Sequence, residues 1–142
     1  MLSHATHYVF VYGSLRKGFH SPAYEYISRY FNFFGDAKVR GRLYDLGEYP
    51  AAMPAIDESF IVGELYLVKD ENEFSWAIGQ LDDYEGVIVE EGEKPLYRRE
   101  IADIYINDAI VPAWIYWYNG DVAGRPVVNS GDILEYIRKN KQ

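Results

Sequence analysis

Five consecutive residues near the start of the chain, Tyr8-Val9-Phe10-Val11-Tyr12, are apolar in both alternating sets, and they stop at Gly13-Ser14-Leu15-Arg16-Lys17-Gly18. A strand that is apolar on both sides has to be covered on both sides. The fold must therefore enclose this strand. The segment that follows carries turn-permitting glycines at each end, so a buried strand feeds a glycine-bracketed loop. Successive backbone N–H groups in such a loop can capture a carboxylate, although an ordinary strand–helix connection has the same composition. The glycines have P-loop spacing, but Phe19-His20 stand where Lys and Ser/Thr are required. Nor is there a nucleophile elbow around Ser14, since Tyr12 and Arg16 occupy its glycine positions.

The remaining pattern predicts a short list of elements. Ser21-Pro22 reads as an N-cap and first turn, and Ala23, Ile27, Tyr30 and Phe31 recur at helical spacing ahead of Gly35. Asp36 to Asp45 reads as a strand with a bulge or close approach at Gly41, and Gly47 to Pro54 as a proline-rich loop. Phe60 to Val68 is a predicted strand with Glu64 on its exposed face. A helix capped by Asp70 or Asn72 carries the stripe Phe74, Ala77, Ile78 and Leu81 and terminates at Gly86. Tyr97 to Ile106 and Ile110 to Tyr118 form a hairpin turning at Asn107-Asp108-Ala109, with Pro112 implying an edge position or a bulge. Ser130 to Arg138 reads as a short capped helix. Strands and helices do not alternate regularly, so the expected class is an α+β domain with a strongly curved mixed sheet, one domain over residues 1–142.

Composition limits the function classes. With 14 Lys+Arg against 22 Asp+Glu the net charge is −8, a field that repels nucleic acid and anionic lipid. No nucleic-acid or membrane partner is expected. The chain has no cysteine, which removes thiolate metal sites and cysteine nucleophiles. Met1 to His7 lacks the basic start and apolar stretch of a secretory signal, and the longest apolar run, Ile110 to Tyr118, is nine residues, too short for a membrane helix. A cytoplasmic protein is the plainer expectation. His4, His7 and His20 show no spacing that converges with the acidic residues, so neither a metal nor a cofactor is expected.

Two further segments carry chemistry. Leu81-Asp82-Asp83-Tyr84-Glu85-Gly86 packs three carboxylates into four residues, and mutual repulsion plus desolvation would make one of them hold its proton unusually strongly. That suits a general acid/base, while a solvated acidic helix end is the bland alternative. Tyr97-Arg98-Arg99 and Tyr116-Trp117-Tyr118 lie on predicted strands, with Tyr116 and Tyr118 on one face and core packing as the default reading.

Taken in order, Tyr12-Gly13-Ser14-Leu15, Leu81-Asp82-Asp83-Tyr84-Glu85-Gly86, Tyr97-Arg98-Arg99 and Tyr116-Trp117-Tyr118 resemble the gamma-glutamylcyclotransferase-like family. Gly41 to Gly47 and Tyr49-Pro50-Ala51 extend the likeness over nearly the whole chain. The resemblance implies a small closed or nearly closed β-barrel with helices outside and a cavity at one end. It implies cyclisation of a γ-glutamyl group to 5-oxoproline with release of the amine. By the same analogy Glu85 is the general acid/base, and Tyr12, Gly13, Ser14 and Leu15 hold the glutamyl moiety through their backbone. Tyr97 and Tyr118 would line the cavity, with Tyr116 as a further candidate. The partner expected is a small-molecule γ-glutamyl compound, and oligomeric state is not legible. Loops Gly47–Ser59 and Val87–Leu96, the second bearing Glu90, Glu91 and Glu93, would shape the leaving-group side. The alternatives are a non-catalytic pocket for a γ-glutamyl or amino-acid-like ligand, and a structural interaction module that uses its aromatic surface and has a filled or absent cavity.

Overall fold

The computed structural model describes residues 6–19, 22–47, 49–86 and 92–140. Ten regular elements follow in order: β1 (Tyr8–Val11), α1 (Pro22–Tyr30), β2 (Phe31–Arg40), β3 (Arg42–Asp45), β4 (Pro50–Met53), β5 (Phe60–Val68), α2 (Phe74–Glu85), β6 (Tyr97–Ile106), β7 (Ala109–Tyr118) and α3 (Ile133–Asn140). Five strands close a barrel in the order β1-β5-β2-β6-β7, and β3 pairs with β4 in a separate hairpin. All barrel pairings are antiparallel except that of β1 with β7, which closes the ring at Val9–Trp114. Closure leaves no barrel edge open to another chain.

Alternation along the strands separates two cores. Phe10, Val39, Ile61, Leu65, Ile104, Ile115 and Trp117 form one buried cluster, joined by Leu43, Ala52 and Ile133. Their neighbours Val9, Val11, Tyr66, Val68 and Tyr116 point the opposite way and meet Ala23 and Ile27 of α1 and Phe74, Ala77, Ile78 and Leu81 of α2. Helices cannot fit inside a five-stranded ring, so the first cluster fills the barrel and the second seals the helices to its outside. The two-sided burial read from the first strand is thereby explained. Each fully buried Leu, Ile or Phe contributes roughly 1.5–3 kcal/mol.

Several local expectations are corrected. Helix α1 stops at Tyr30, and Phe31 opens β2, which runs straight through Gly35. The helix does end ahead of Gly35, and the register of β2 against β5 shifts between Phe33 and Gly35, so the glycine marks a bulge. Gly41 separates β2 from β3 and sits at the expected close approach, since a Cβ there would lie 2.9 Å from the Met53 carbonyl oxygen. Residues 50–53 are a strand, with Pro50 in the first position, where a missing N–H is tolerated. Pro112 sits in unbroken register opposite Asp103. Glu64 is buried, only 4% exposed, against the expectation of an exposed face. Asp70 caps the 3-10 turn Glu71–Glu73 that leads into α2, accepting from Asn72 N at 2.9 Å. Ser21, His4 and His20 lie outside the described residues. No helix among the described residues is long and apolar enough to cross a membrane.

Candidate functional site

The turn after β1 is built by one short bond: Arg16 N–H donates to the Gly13 carbonyl at 2.9 Å. Behind it, the Arg16 guanidinium is buried and lies 3.3 Å from Glu64 and 2.9 Å from Asp132. Glu64 also accepts from Lys17 N–H at 3.0 Å and from the Tyr66 hydroxyl at 2.8 Å. Asp132 in turn accepts from Leu134 N–H at 3.1 Å at the start of α3. A buried pair is costly to form but strongly destabilising to break, so this cluster fixes where the loop sits. Among the described residues the Ser14 and Leu15 N–H groups donate to no carbonyl or side chain. They remain available to a ligand.

Opposite the loop, α2 ends at Gly86 in the left-handed conformation, φ 74°, with its N–H turned back to the Asp82 and Asp83 carbonyls. The last turn of this helix treats its carboxylates differently. Asp83 is exposed, whereas Asp82 is 6% exposed and gripped by Arg99 of β6, Nε to Oδ1 at 2.7 Å and Nη2 to Oδ2 at 3.1 Å. The Arg99 guanidinium also lies 4.3 Å over the Trp114 ring. Glu85, one turn on, has no hydrogen-bond donor among the described residues, and burial pushes its carboxyl up to about 7. Desolvation is the cause, not the mutual repulsion expected of three clustered carboxylates, because Arg99 compensates Asp82.

The two halves meet in one cleft. Glu85 and Tyr12-Gly13-Ser14-Leu15 line it together with Tyr97 and Tyr116, Tyr49 and Pro50, and it contains about 370 Å³ of space, its solvent mouth included. Gly13 is needed at close quarters, since a Cβ there would lie 3.0 Å from Pro50 Cγ. Ser14 Oγ and Tyr84 Oη bridge loop to helix at 2.9 Å. Tyr97 donates to the Pro50 carbonyl at 2.8 Å, Tyr116 donates to Asp82 at 2.8 Å, and Tyr12 donates to the Tyr116 carbonyl through a very short bond. Burial raises all three phenols well above their ordinary value, and the nearby Glu85 carboxylate raises them further. They stay protonated across the physiological range.

Tyr118 is not among the lining residues; its ring packs edge-on against Tyr97 at 5.6 Å between centroids. Arg99 and Asp82 were missed as site-forming residues. Their one legible signal is an acidic residue a turn ahead of Glu85 and an arginine on a strand otherwise rich in apolar residues, which does not say that they pair. Residues 87–91, with Glu90 and Glu91, lie outside the described residues. Among the described residues no three His, Asp or Glu side chains gather as metal ligands.

Comparison with known proteins gives the family and the fold. Residues 9–135 match the family described as "Gamma-glutamyl cyclotransferase, AIG2-like". A Vibrio cholerae protein provisionally named gamma-glutamylcyclotransferase is 35% identical over 131 residues, which is 92% of this chain and 98% of that one. The "Gamma-glutamylcyclotransferase family protein YtfP" of Escherichia coli K12 is 30% identical over 128 residues, 89% of this chain and 96% of its own. The solution structure of Escherichia coli YtfP superposes with a TM-score of 0.62 at 29% identity, covering 92% of this chain and 98% of that one. YkqA of Bacillus subtilis superposes with a TM-score of 0.66 at 25% identity over 94% of this chain, which spans 42% of the YkqA chain.

Proposed function

Because the chain belongs to the gamma-glutamyl cyclotransferase, AIG2-like family, we propose that it cyclises the γ-glutamyl group of a small γ-glutamyl amine or amino acid to 5-oxoproline, with Glu85 as general acid/base. The observation that carries this reading is a desolvated glutamate facing a loop with free N–H groups across a single cleft.

The chemistry needs no protein nucleophile, because the α-amine of the substrate attacks its own γ-carbonyl carbon. That amine is an ammonium at neutral pH, with a pKa of about 8 by the usual α-amino reference. The Glu85 carboxylate takes a proton as the nitrogen attacks, then returns one to the amine that departs. The C–N bond of the ring forms, the amide C–N bond breaks, and no water enters the balance. A carboxyl near pH 7 is matched to both steps, and general acid/base transfer of this kind is worth about 10²–10⁴ in rate.

The Ser14 and Leu15 N–H groups would hold the α-carboxylate and so keep the glutamyl chain coiled. Bringing nitrogen to about 3–3.5 Å from the carbon under attack converts part of the barrier into binding already achieved. The test is incubation of the protein with a panel of γ-glutamyl amines and γ-glutamyl amino acids, assayed for 5-oxoproline. Release from at least one member, lost in Glu85→Gln with an unchanged circular dichroism spectrum, supports the reading. Full activity in Glu85→Gln defeats it.

A further inference from the structure

The hydroxyls around Glu85 share a constraint that follows from what they bond. A carbonyl oxygen accepts and cannot donate, so the Tyr97 hydroxyl spends its one proton on Pro50 and the Tyr12 hydroxyl spends its own on Tyr116. Asp82 already accepts from two Arg99 nitrogens, so it too is a pure acceptor, and the Tyr116 proton goes to it. Three phenols therefore border the cleft with no proton left to give. Among the described residues nothing donates to the Tyr97 and Tyr116 oxygens, so their lone pairs are available.

This arrangement accounts for Glu85. A carboxylate beside three hydroxyls would ordinarily collect hydrogen bonds that favour its charged form. Here the Tyr12, Tyr97 and Tyr116 protons are turned away by fixed partners, and Glu85 takes no hydrogen bond from these three. This side of the cleft, two phenol acceptors and one carboxylate, suits a cation that carries several N–H groups, while the Ser14 and Leu15 N–H groups across it suit the substrate's carboxylate.

We propose that the Tyr97 and Tyr116 hydroxyl oxygens, held as obligate acceptors by Pro50 and by the Asp82–Arg99 pair, form with Glu85 a receptor for the substrate's α-ammonium group. It rests on the cyclotransferase reading, and it deepens that reading by naming which groups recognise the attacking nitrogen and in which protonation state. Asp82 and Arg99 are positioning residues: they set the direction of the Tyr116 proton without touching the substrate. The ammonium enters with three donors facing two phenol oxygens and one carboxylate, so the proton that must leave is already directed at Glu85.

The experiment compares binding of γ-L-glutamyl-L-alanine with glutaryl-L-alanine, its counterpart lacking only the amine, by calorimetry at pH 6. Using Glu85→Gln prevents turnover and removes the carboxylate's own attraction, so any remaining preference comes from the phenols. The amine-bearing compound should bind about 10-fold or more tightly, the scale of a hydrogen bond to a charged group. Adding Tyr97→Phe or Tyr116→Phe should each erode that preference while leaving glutaryl-L-alanine affinity in place. Tyr116→Phe keeps the Asp82–Arg99 pair, so its fold is preserved, and thermal melts check both variants. Equal affinities in Glu85→Gln, or a preference that survives both phenylalanines, overturns the receptor even if the wild-type protein makes 5-oxoproline. A preserved preference without any turnover overturns only the catalytic reading. A cleft that binds neither compound overturns both.

Discussion

Glu64 and Glu85 stand on opposite sides of the same glycine-bracketed loop, and their surroundings differ in kind. Glu64 receives the Arg16 guanidinium, the Lys17 N–H and the Tyr66 hydroxyl. Among the described residues Glu85 receives nothing comparable, although four tyrosines border the same cleft. One carboxylate is fully compensated and locks the loop against β5 and α3. The other is desolvated and poised near neutrality, where it can gain or lose a proton at little cost. Burial alone does not decide what an acidic residue does; the supply of donors does.

Substitutions at the two positions should separate these roles. Glu85→Gln should lower kcat/KM for the best γ-glutamyl substrate by about 10²–10⁴ while leaving the fold intact. Glu64→Leu should do the reverse, costing about 3 kcal/mol of unfolding free energy in urea titration, because Arg16 and the Tyr66 hydroxyl lose their buried partner. Comparable melting curves for Glu64→Leu and wild type would show that Glu64 does not lock the loop.

The next largest effect lies in pH dependence. As a base, Glu85 must be ionised, so kcat/KM should rise through an acid limb near 7 that disappears in Glu85→Gln. Stability should move the other way. A carboxyl raised from its ordinary range to about 7 favours the folded state while protonated, and that contribution is lost as pH rises through about 7. Relative to wild type, Glu85→Gln should therefore gain about 1–3 kcal/mol between pH 4.5 and pH 8. Parallel stability–pH curves for the two proteins would show that Glu85 is not desolvated. The smallest effect is expected from Tyr84→Phe, which removes a single exposed bond to Ser14 and should change KM by no more than a few fold.

Much of the barrel was legible because apolar alternation survives translation into strands. The run at Tyr8–Tyr12, the strand Phe60–Val68, the helix stripe ending at Gly86 and the late hairpin all lie within a residue or two of their positions. The failures cluster where a long-range partner overrides a local rule. Pro50 enters a strand because β3 supplies the other side of a hairpin, and Phe31 leaves the helix because β5 pairs with it. Glu64 was placed on an exposed face because nothing near it in sequence hints that Arg16, 48 residues earlier, would meet it.

For the site, the presence of Glu85 and of the loop Tyr12–Leu15 was readable as two motifs. Their shared cleft was not, because 70 residues separate Ser14 from Tyr84, the pair that bridges them. The amino-acid order by itself determined that the first strand is covered on both faces, where helix α2 ends, and that an acidic residue sits at that end, since each follows from side-chain period or from glycine's access to left-handed backbone. Only the closed barrel decided that Asp82 would be neutralised by Arg99 and Glu85 left desolvated, and that the neighbouring phenols would have no proton to share. Charge compensation and hydrogen-bond direction depend on atoms a few ångströms apart in space, and no spacing along the chain records them.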